Sequence, residues 1–340
     1  MGNLQHTDSL EQILQQFNAI DQRISHYKEV IALVYWDLQT TAPKKGKPFR
    51  SEAYGTLSSD MFHITLSDEL KQTLEKLSEP EIYSQLDPVT QGKVRERTKE
   101  IEKLSKIPAD LHKEYIIHTS KAHDVWEEAK SKNDFSIFQP ALEKMVEYKR
   151  KFIELYGYEK HPYDALLDEY EPGITVEHLD PLFADLREKT IALLRKIQNA
   201  ASQPRKDLFN QPFDIGKQKE LSLLILSKLG YDFQAGRLDE SVHPFATGIN
   251  VGDVRITTRY MENDMRSSLF GSIHECGHAL YEQGIDESFI GTVLADGTSM
   301  GIHESQSRFL ENMIGRSFEF WKFFYLMCNN SSLNNFLLSM

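Results

Sequence analysis

His274-Glu275-Cys276-Gly277-His278 sets two imidazoles four residues apart, with a carboxylate beside the first. On a helix, positions i and i+4 share one face, so both rings can address a single cation. Zinc lowers the pKa of a water it holds to about 7, which makes hydroxide available at neutral pH. Glu275 projects beside that ion, where its carboxylate can take the water's proton and later hand it to a leaving amine. Amide hydrolysis needs that combination. Cobalt(II) can substitute for Zn2+ in such a donor set, because affinity order alone does not choose the metal.

Two ligands are not enough, since a catalytic zinc site normally has three protein ligands and one open position. The next turn of the same helix lies about 5.4 Å further along the axis, which disfavours Glu282. The downstream candidates are Glu287, Glu304 and Glu311. Glu304 opens a helical pattern through Phe309, Leu310, Met313 and Ile314, so a helix lying against the motif helix can present it to the ion. An i,i+4 surface pair with Arg308, worth a few tenths of a kcal/mol, competes with that role on spacing alone. His303 is suited to an orienting hydrogen bond, because ligating groups need such partners. Cys276 occupies an inner position of the motif, faces away from the histidines and reads as packing. His26, His63, His112, His118, His123, His161 and His178 show no ligand-like pairing.

The elements that must position these groups are mostly helical. Ser9 followed by Gln12 forms a possible capping box. Leu10, Ile13, Leu14, Phe17, Ile20, Ile24, Ile31 and Val34 then recur close to a 3.6-residue period, and Pro43 and Gly46 end the segment. Further helical patterns cover about 88–105, 109–132, 138–155, 175–200 and 216–229, the last stopped by Gly230. From Gly248 to Tyr260 the period shortens through Val251, Val254, Ile256 and Thr258, as in a short strand or hairpin. The motif helix, about 267–283, follows directly. Phe318 to Tyr325 is aromatic and helical in pattern. Cys328 to Met340 is rich in Asn and Ser and then stops, as in a chain cut short or one whose reading frame changed.

Composition excludes several classes. A net charge of −12 argues against nucleic acid, whose phosphates such a surface repels. No stretch approaches the roughly 20 apolar residues of a membrane span. Met1 to Ser9 lacks the apolar core of a secretory signal. Two cysteines in 340 residues make no disulfide framework, so a reducing cytoplasm is the expected setting.

Several short motifs in a fixed order carry a resemblance. They are Tyr35-Trp36-Asp37 before a Pro-containing turn, His243-Pro244-Phe245, and Asp253-Val254-Arg255-Ile256-Thr257 as D-x-R-x-T. The H-E-x-x-H and then His303-Glu304-Ser305 follow. In these the chain resembles the carboxypeptidase Taq family (peptidase family M32) of zinc metallocarboxypeptidases, from its N-terminal part up to about Tyr325. The resemblance implies a mainly α, helical zincin-type fold with a deep groove and a small β-hairpin or sheet next to the zinc helix. It implies Glu304 as third zinc ligand, and a homodimeric cytosolic enzyme that removes C-terminal amino acids from peptides. It also implies a continuation carrying an I/V-R-x-x-A-D and a G-x-x-Q-D-x-H-W motif, which this sequence lacks. Those later segments are expected to hold the peptide's terminal carboxylate.

The expected organisation is therefore one peptidase domain over 1–340, incomplete at its C-terminus. In it, 1–200 is a helical lid part, 201–325 the zinc-site part and 326–340 an atypical tail. The strand around Asp253 to Thr257 is suited to pairing with substrate backbone. Arg255 can orient an acidic group or form a structural salt bridge, and His243 can approach substrate or sit in a packed turn. Two rival readings stay open: an H-E-x-x-H endopeptidase, and an inactive fragment that binds metal or peptide.

Overall fold

The molecule is described from a computed structural model over residues 9–203 and 211–328; the Asn/Ser-rich stretch from 329 onward lies outside the described residues. The chain divides into two compact units. The first holds the chain up to Tyr156 together with 247–253 and 284–296, and the second holds the rest.

Helices build the first unit: α1 (Leu10–Gln39), α2 (Lys47–Thr65), α3 (Asp68–Leu77), α4 (Pro80–Tyr83), α5 (Pro88–Leu104), α6 (Ala109–Lys132) and α7 (Phe135–Tyr156). Ser9 and Gln12 form the expected capping box, each side chain bonded to the other's backbone N–H. α1 ends at Gln39, before Pro43, because the N–H groups of Thr40, Thr41 and Ala42 all turn back onto the Asp37 carbonyl. The periodic apolar face of α1 buries Ile13, Phe17 and Ile24 against Leu70, Leu74 and Leu77 of α3 and Val94 of α5. Truncating one such side chain to Ala costs about 2–5 kcal/mol. Inside this unit Arg97 is fully buried and donates to Asp21, which is also fully buried.

The second unit contains α8 (Asp164–Leu167), α9 (Val176–Gln198), α10 (Ile215–Leu229), α11 (Met265–Gln283), α12 (Met300–Arg308) and α13 (Phe318–Cys328). Gly230 closes α10 in the left-handed conformation, at φ 99°, where a side chain would be strained. Strands β1 (Leu238–Glu240), β2 (Ala246–Asn250) and β3 (Asp253–Thr258) form a small mixed sheet in the order β1-β3-β2. β1 runs parallel to β3 with Leu238 opposite Ile256. The hairpin was legible from its β-branched residues; β1, only three residues long, carries no such pattern.

One core fixes α11. Met265, Leu269, Ile273, Cys276 and Ala279 bury a stripe against Leu221, Ile225 and Leu226 of α10, Val254 and Ile256 of β3, and Phe320 and Phe324 of α13. The Thr258 hydroxyl donates to the Ser268 carbonyl at 3.0 Å, tying the sheet to this helix. The architecture is thus mainly α, with its small sheet beside the motif helix. Among the described residues, no helix is long and apolar enough to cross a membrane.

Candidate metal centre

Because α11 commits one stripe to the core, His274 and His278 stand on its flank, 22% and 14% exposed. Cys276 lies in the core stripe, and burial pushes its thiol up to about 12, so it packs as an inert apolar group. α12 then crosses α11 at Gly277. A Cβ there would lie 2.5 Å from both the Gln306 carbonyl oxygen and the Ser307 Cα, so only glycine permits the approach. Ser299 caps α12 by accepting from the Ile302 N–H. The first turn is held further by Tyr170, whose carbonyl accepts from the Met300 N–H, and by Glu171, whose carboxylate accepts from the Gly301 N–H.

This packing delivers Glu304. Its Oε2 lies 3.6 Å from His274 Nε2 and 3.4 Å from His278 Nε2, and the three donor atoms fall within 4.8 Å of one another. Two zinc bonds of roughly 2.0–2.2 Å at a tetrahedral angle span about 3.4 Å, so two imidazole nitrogens and one carboxylate oxygen fit such an ion in chemistry and in spacing. The Arg308 pair holds as well, at 3.4 Å, but through the other oxygen, Oε1. The two readings of Glu304 are therefore compatible.

Glu311 is not part of this cluster; it lies behind it. Seven residues after Glu304, it falls on the same side of the helical path, which passes through a π-helical stretch, Phe309–Gly315. His274 Nδ1 is 2.9 Å from Glu311 Oε2, and Arg316 donates to Glu311 Oε1 at 2.6 Å. Burial works against the Glu311 anion, but the bonds from Arg316 and His274 outweigh it and hold the carboxyl below its ordinary value. On the other ring, His278 Nδ1 is 2.6 Å from His303 Nδ1. Both Nδ1 atoms are thus engaged, which leaves both Nε2 atoms for the ligand face. Glu282, set aside as a ligand by spacing, bonds His303 Nε2 at 2.6 Å instead. That role escapes a search for ligands, although its i+4 step from His278 puts it on the ligand-bearing face.

Glu275 is 6% exposed. Burial, with added repulsion from Glu304 and Glu311, raises its carboxyl to about 8. His278 is driven the other way, to about 4, first by burial and then by the neighbouring His303 and His274.

Asp253, Arg255 and Thr257 lie on β3, and His243 lies in the segment between β1 and β2. Thr257 is fully buried and its Oγ1 accepts from the Phe245 N–H at 2.9 Å and lies 2.6 Å from the Ser241 hydroxyl, so it braces the sheet. His243 is exposed, and its carbonyl accepts from Ser241 Oγ. Asp253 and Arg255 are half-buried at alternate positions of β3. Glu287 lies in a short 3₁₀ turn, Glu287–Phe289, and is not a member of the three-residue cluster.

A second group with ligand-type atoms, His123, Asp124 and Glu127, occurs in the first unit. There the Lys47 ammonium sits 2.8 Å from Asp124 and 3.5 Å from Glu127, so a cation is already in place.

The profile of the carboxypeptidase Taq (M32) metallopeptidases matches residues 16–336. The chain belongs to that family. The match reaches residue 336, past Tyr325, where the motif-based resemblance ended. Carboxypeptidase 1 of Bacillus subtilis is 51% identical over 317 residues, covering 93% of this chain and 63% of that protein. Thermostable carboxypeptidase 1 of Thermus thermophilus is 39% identical, covering 86% and 59%. Among solved structures, the BsuCP crystal structure superposes with a TM-score of 0.91 at 49% identity, over 96% of this chain and 67% of that one. A Pyrococcus furiosus carboxypeptidase structure gives 0.84 at 38% identity, over 95% and 65%. The chain thus spans less than two thirds of the length of the curated M32 relatives it matches.

Proposed function

We propose that this M32 chain acts as a zinc-dependent carboxypeptidase on peptides, with His274, His278 and Glu304 holding the ion and Glu275 moving the proton. The observation that carries the reading is the convergence of two Nε2 atoms on one Glu304 oxygen, while both Nδ1 atoms are engaged behind them. A divalent zinc ion bound there supplies a Lewis-acid charge that makes water acidic enough to attack an amide at neutral pH.

The remaining chemistry belongs to side chains of this chain. Ligand imidazoles must be neutral, and burial keeps His278 neutral well below pH 7. Glu275 is a carboxyl whose affinity for a proton lies near neutrality, and a nearby cation draws it toward the anion. It therefore accepts a proton from the attacking water and returns it to the departing amine. Arg255, Asp253 and His243 are proposed as groups near the substrate; Thr257 braces the sheet that carries Asp253 and Arg255. Peptide substrates, cytoplasmic residence and homodimer assembly belong to the same proposal. Cobalt is expected to replace zinc.

A second reading is a chain that binds metal without turnover. Peptides with a free C-terminal carboxylate and their C-terminally amidated counterparts, offered to the zinc-loaded chain, separate the possibilities. Release of the last residue from the free acid alone supports the carboxypeptidase. Internal cleavage of amidated peptide points to an endopeptidase. Stoichiometric zinc with no cleavage of either supports the second reading.

A further inference from the structure

Three side chains form a line behind the metal centre: His278, His303 and Glu282. His278 Nδ1 is 2.6 Å from His303 Nδ1, and His303 Nε2 is 2.6 Å from Glu282 Oε1. Their proton positions depend on one another. A carboxylate only accepts, so the bond to Glu282 requires the proton of His303 on Nε2. A neutral His303 then presents a bare lone pair at Nδ1. The bond to it requires a proton on His278 Nδ1, which leaves the His278 lone pair on Nε2, 3.4 Å from Glu304 Oε2.

The opposite arrangement blocks the site. With the His303 proton on Nδ1, or on both nitrogens, His278 would have to accept at Nδ1 and carry its own proton on Nε2. No metal can bind a protonated nitrogen. His274 needs only one partner for the same purpose, since Glu311 accepts directly from its Nδ1. For His278 the accepting charge sits one ring further away.

The ring in the middle is closely packed. The Tyr281 ring meets it edge-on, with centroids 5.0 Å apart and an interplanar angle of 89°. A Cβ on Gly297 would lie 2.7 Å from His303 Cδ2 and 3.3 Å from Tyr281 Cε1, so the backbone at Gly297 closes against both rings.

We infer that Glu282 and His303 act jointly as a positioning pair, a two-member relay that fixes the tautomer of His278 and so selects Nε2 as its metal-binding nitrogen. This rests on the metal-centre reading proposed above, but its test can fail separately. In the metal-free full chain labelled with 15N-histidine, a two-bond 1H–15N spectrum is expected to show His303 protonated on Nε2 only and His278 on Nδ1 only. A proton on His303 Nδ1, or on His278 Nε2, overturns the inference. Glu282→Gln keeps the shape but offers an amide that can donate as well as accept. Its zinc dissociation constant, measured by chelator competition, should rise about 10–100-fold over the unmodified chain. A variant with unchanged circular dichroism and unchanged zinc affinity refutes the relay. If E282Q does not fold, the spectrum of the unmodified chain decides. If the unmodified chain binds no zinc, the metallopeptidase reading falls, while the histidine spectrum still decides the relay.

Discussion

Replacing Gly277 with Ala tests whether the close crossing of α11 and α12 builds the metal centre. The added Cβ would sit 2.5 Å from Gln306 O and from Ser307 Cα, and 2.8 Å from Gln306 C. Ordinary carbon contacts begin near 3.5 Å, so α12 must retreat by about 1 Å. All three obstructing atoms are backbone, and no rotamer change relieves them. Two effects oppose each other in stability: Ala favours an α-helix over Gly by about 1 kcal/mol, whereas overpacking costs about 1–3 kcal/mol. The net stability change is therefore small, on the order of 1 kcal/mol, and unfavourable. Metal binding is far less tolerant, because ligand distances must hold to about 0.2 Å. Glu304 lies on the displaced turn, joined to Ser307 by two hydrogen bonds. Losing a partner behind a ligand costs about 10–100-fold in affinity, so displacing the ligand itself should cost at least about 100-fold. Zinc titration against a competing chelator, with circular dichroism as the folding control, measures this. G277A and E304A should show similar affinities, and the double variant should be little worse than either. A folded G277A that binds zinc as tightly as the unmodified chain would refute the reasoning.

Chelation should abolish peptide cleavage and leave helical circular dichroism intact, since both cores are built from apolar side chains; added zinc or cobalt should restore cleavage. Glu275→Gln should keep zinc affinity within a few-fold while lowering turnover by about 10²–10⁴-fold. In the metal-free chain the same variant reports a pH effect. Glu275 has a folded-state pKa raised to about 8, so its protonated form stabilises the fold below the unfolded value of 4.5, and this stabilisation is lost as pH rises toward 8. The melting-temperature advantage of E275Q over the unmodified chain should accordingly be absent at pH 4.5 and grow up to pH 8; a constant difference would contradict it. In the first unit, Asp21→Ala leaves the Arg97 guanidinium buried beside Glu100 alone, and should cost about 3–5 kcal/mol in chemical denaturation. It also removes the acceptor of the Val293 N–H, so amide exchange in 284–296 should accelerate.

The helix caps and long periodic segments were readable because each is decided within a few residues. The Ser9–Gln12 box and the bounds of α6, which agree with the expected 109–132, are examples. α2 was not, for a physical reason. Its buried residues are Ser51, Gly55, Ser58, Phe62 and Thr65, so a face chosen for close approach carries almost no hydrophobic signal. The pairing of His274 with His278 was readable for the same reason as the caps: four residues on one helix fix the relation between them. Glu304 needed a second helix; its place at the start of a helical pattern put it ahead of Glu287 and Glu311, and the family resemblance added to that choice.

What spacing could not supply is the identity of the groups behind His274 and His278. His274 meets a residue 37 positions away and His278 one 25 positions away, and no local pattern links them. The pairing of His278 follows from the depth at which α12 lies on α11, and that of His274 from the π-helical stretch that continues α12. That depth is set where Gly277 carries no Cβ and Gln306 and Ser307 fill the space. The inner positions of the motif are therefore not neutral. Cys276 anchors the helix in the core, and Gly277 admits the helix that brings Glu304 and His303. A chain with the same two histidines and carboxylate, but with a side chain at 277, would keep the H-E-x-x-H spacing yet hold Glu304 about 1 Å out of place. Spacing alone cannot distinguish the two; the contact surface between α11 and α12 can.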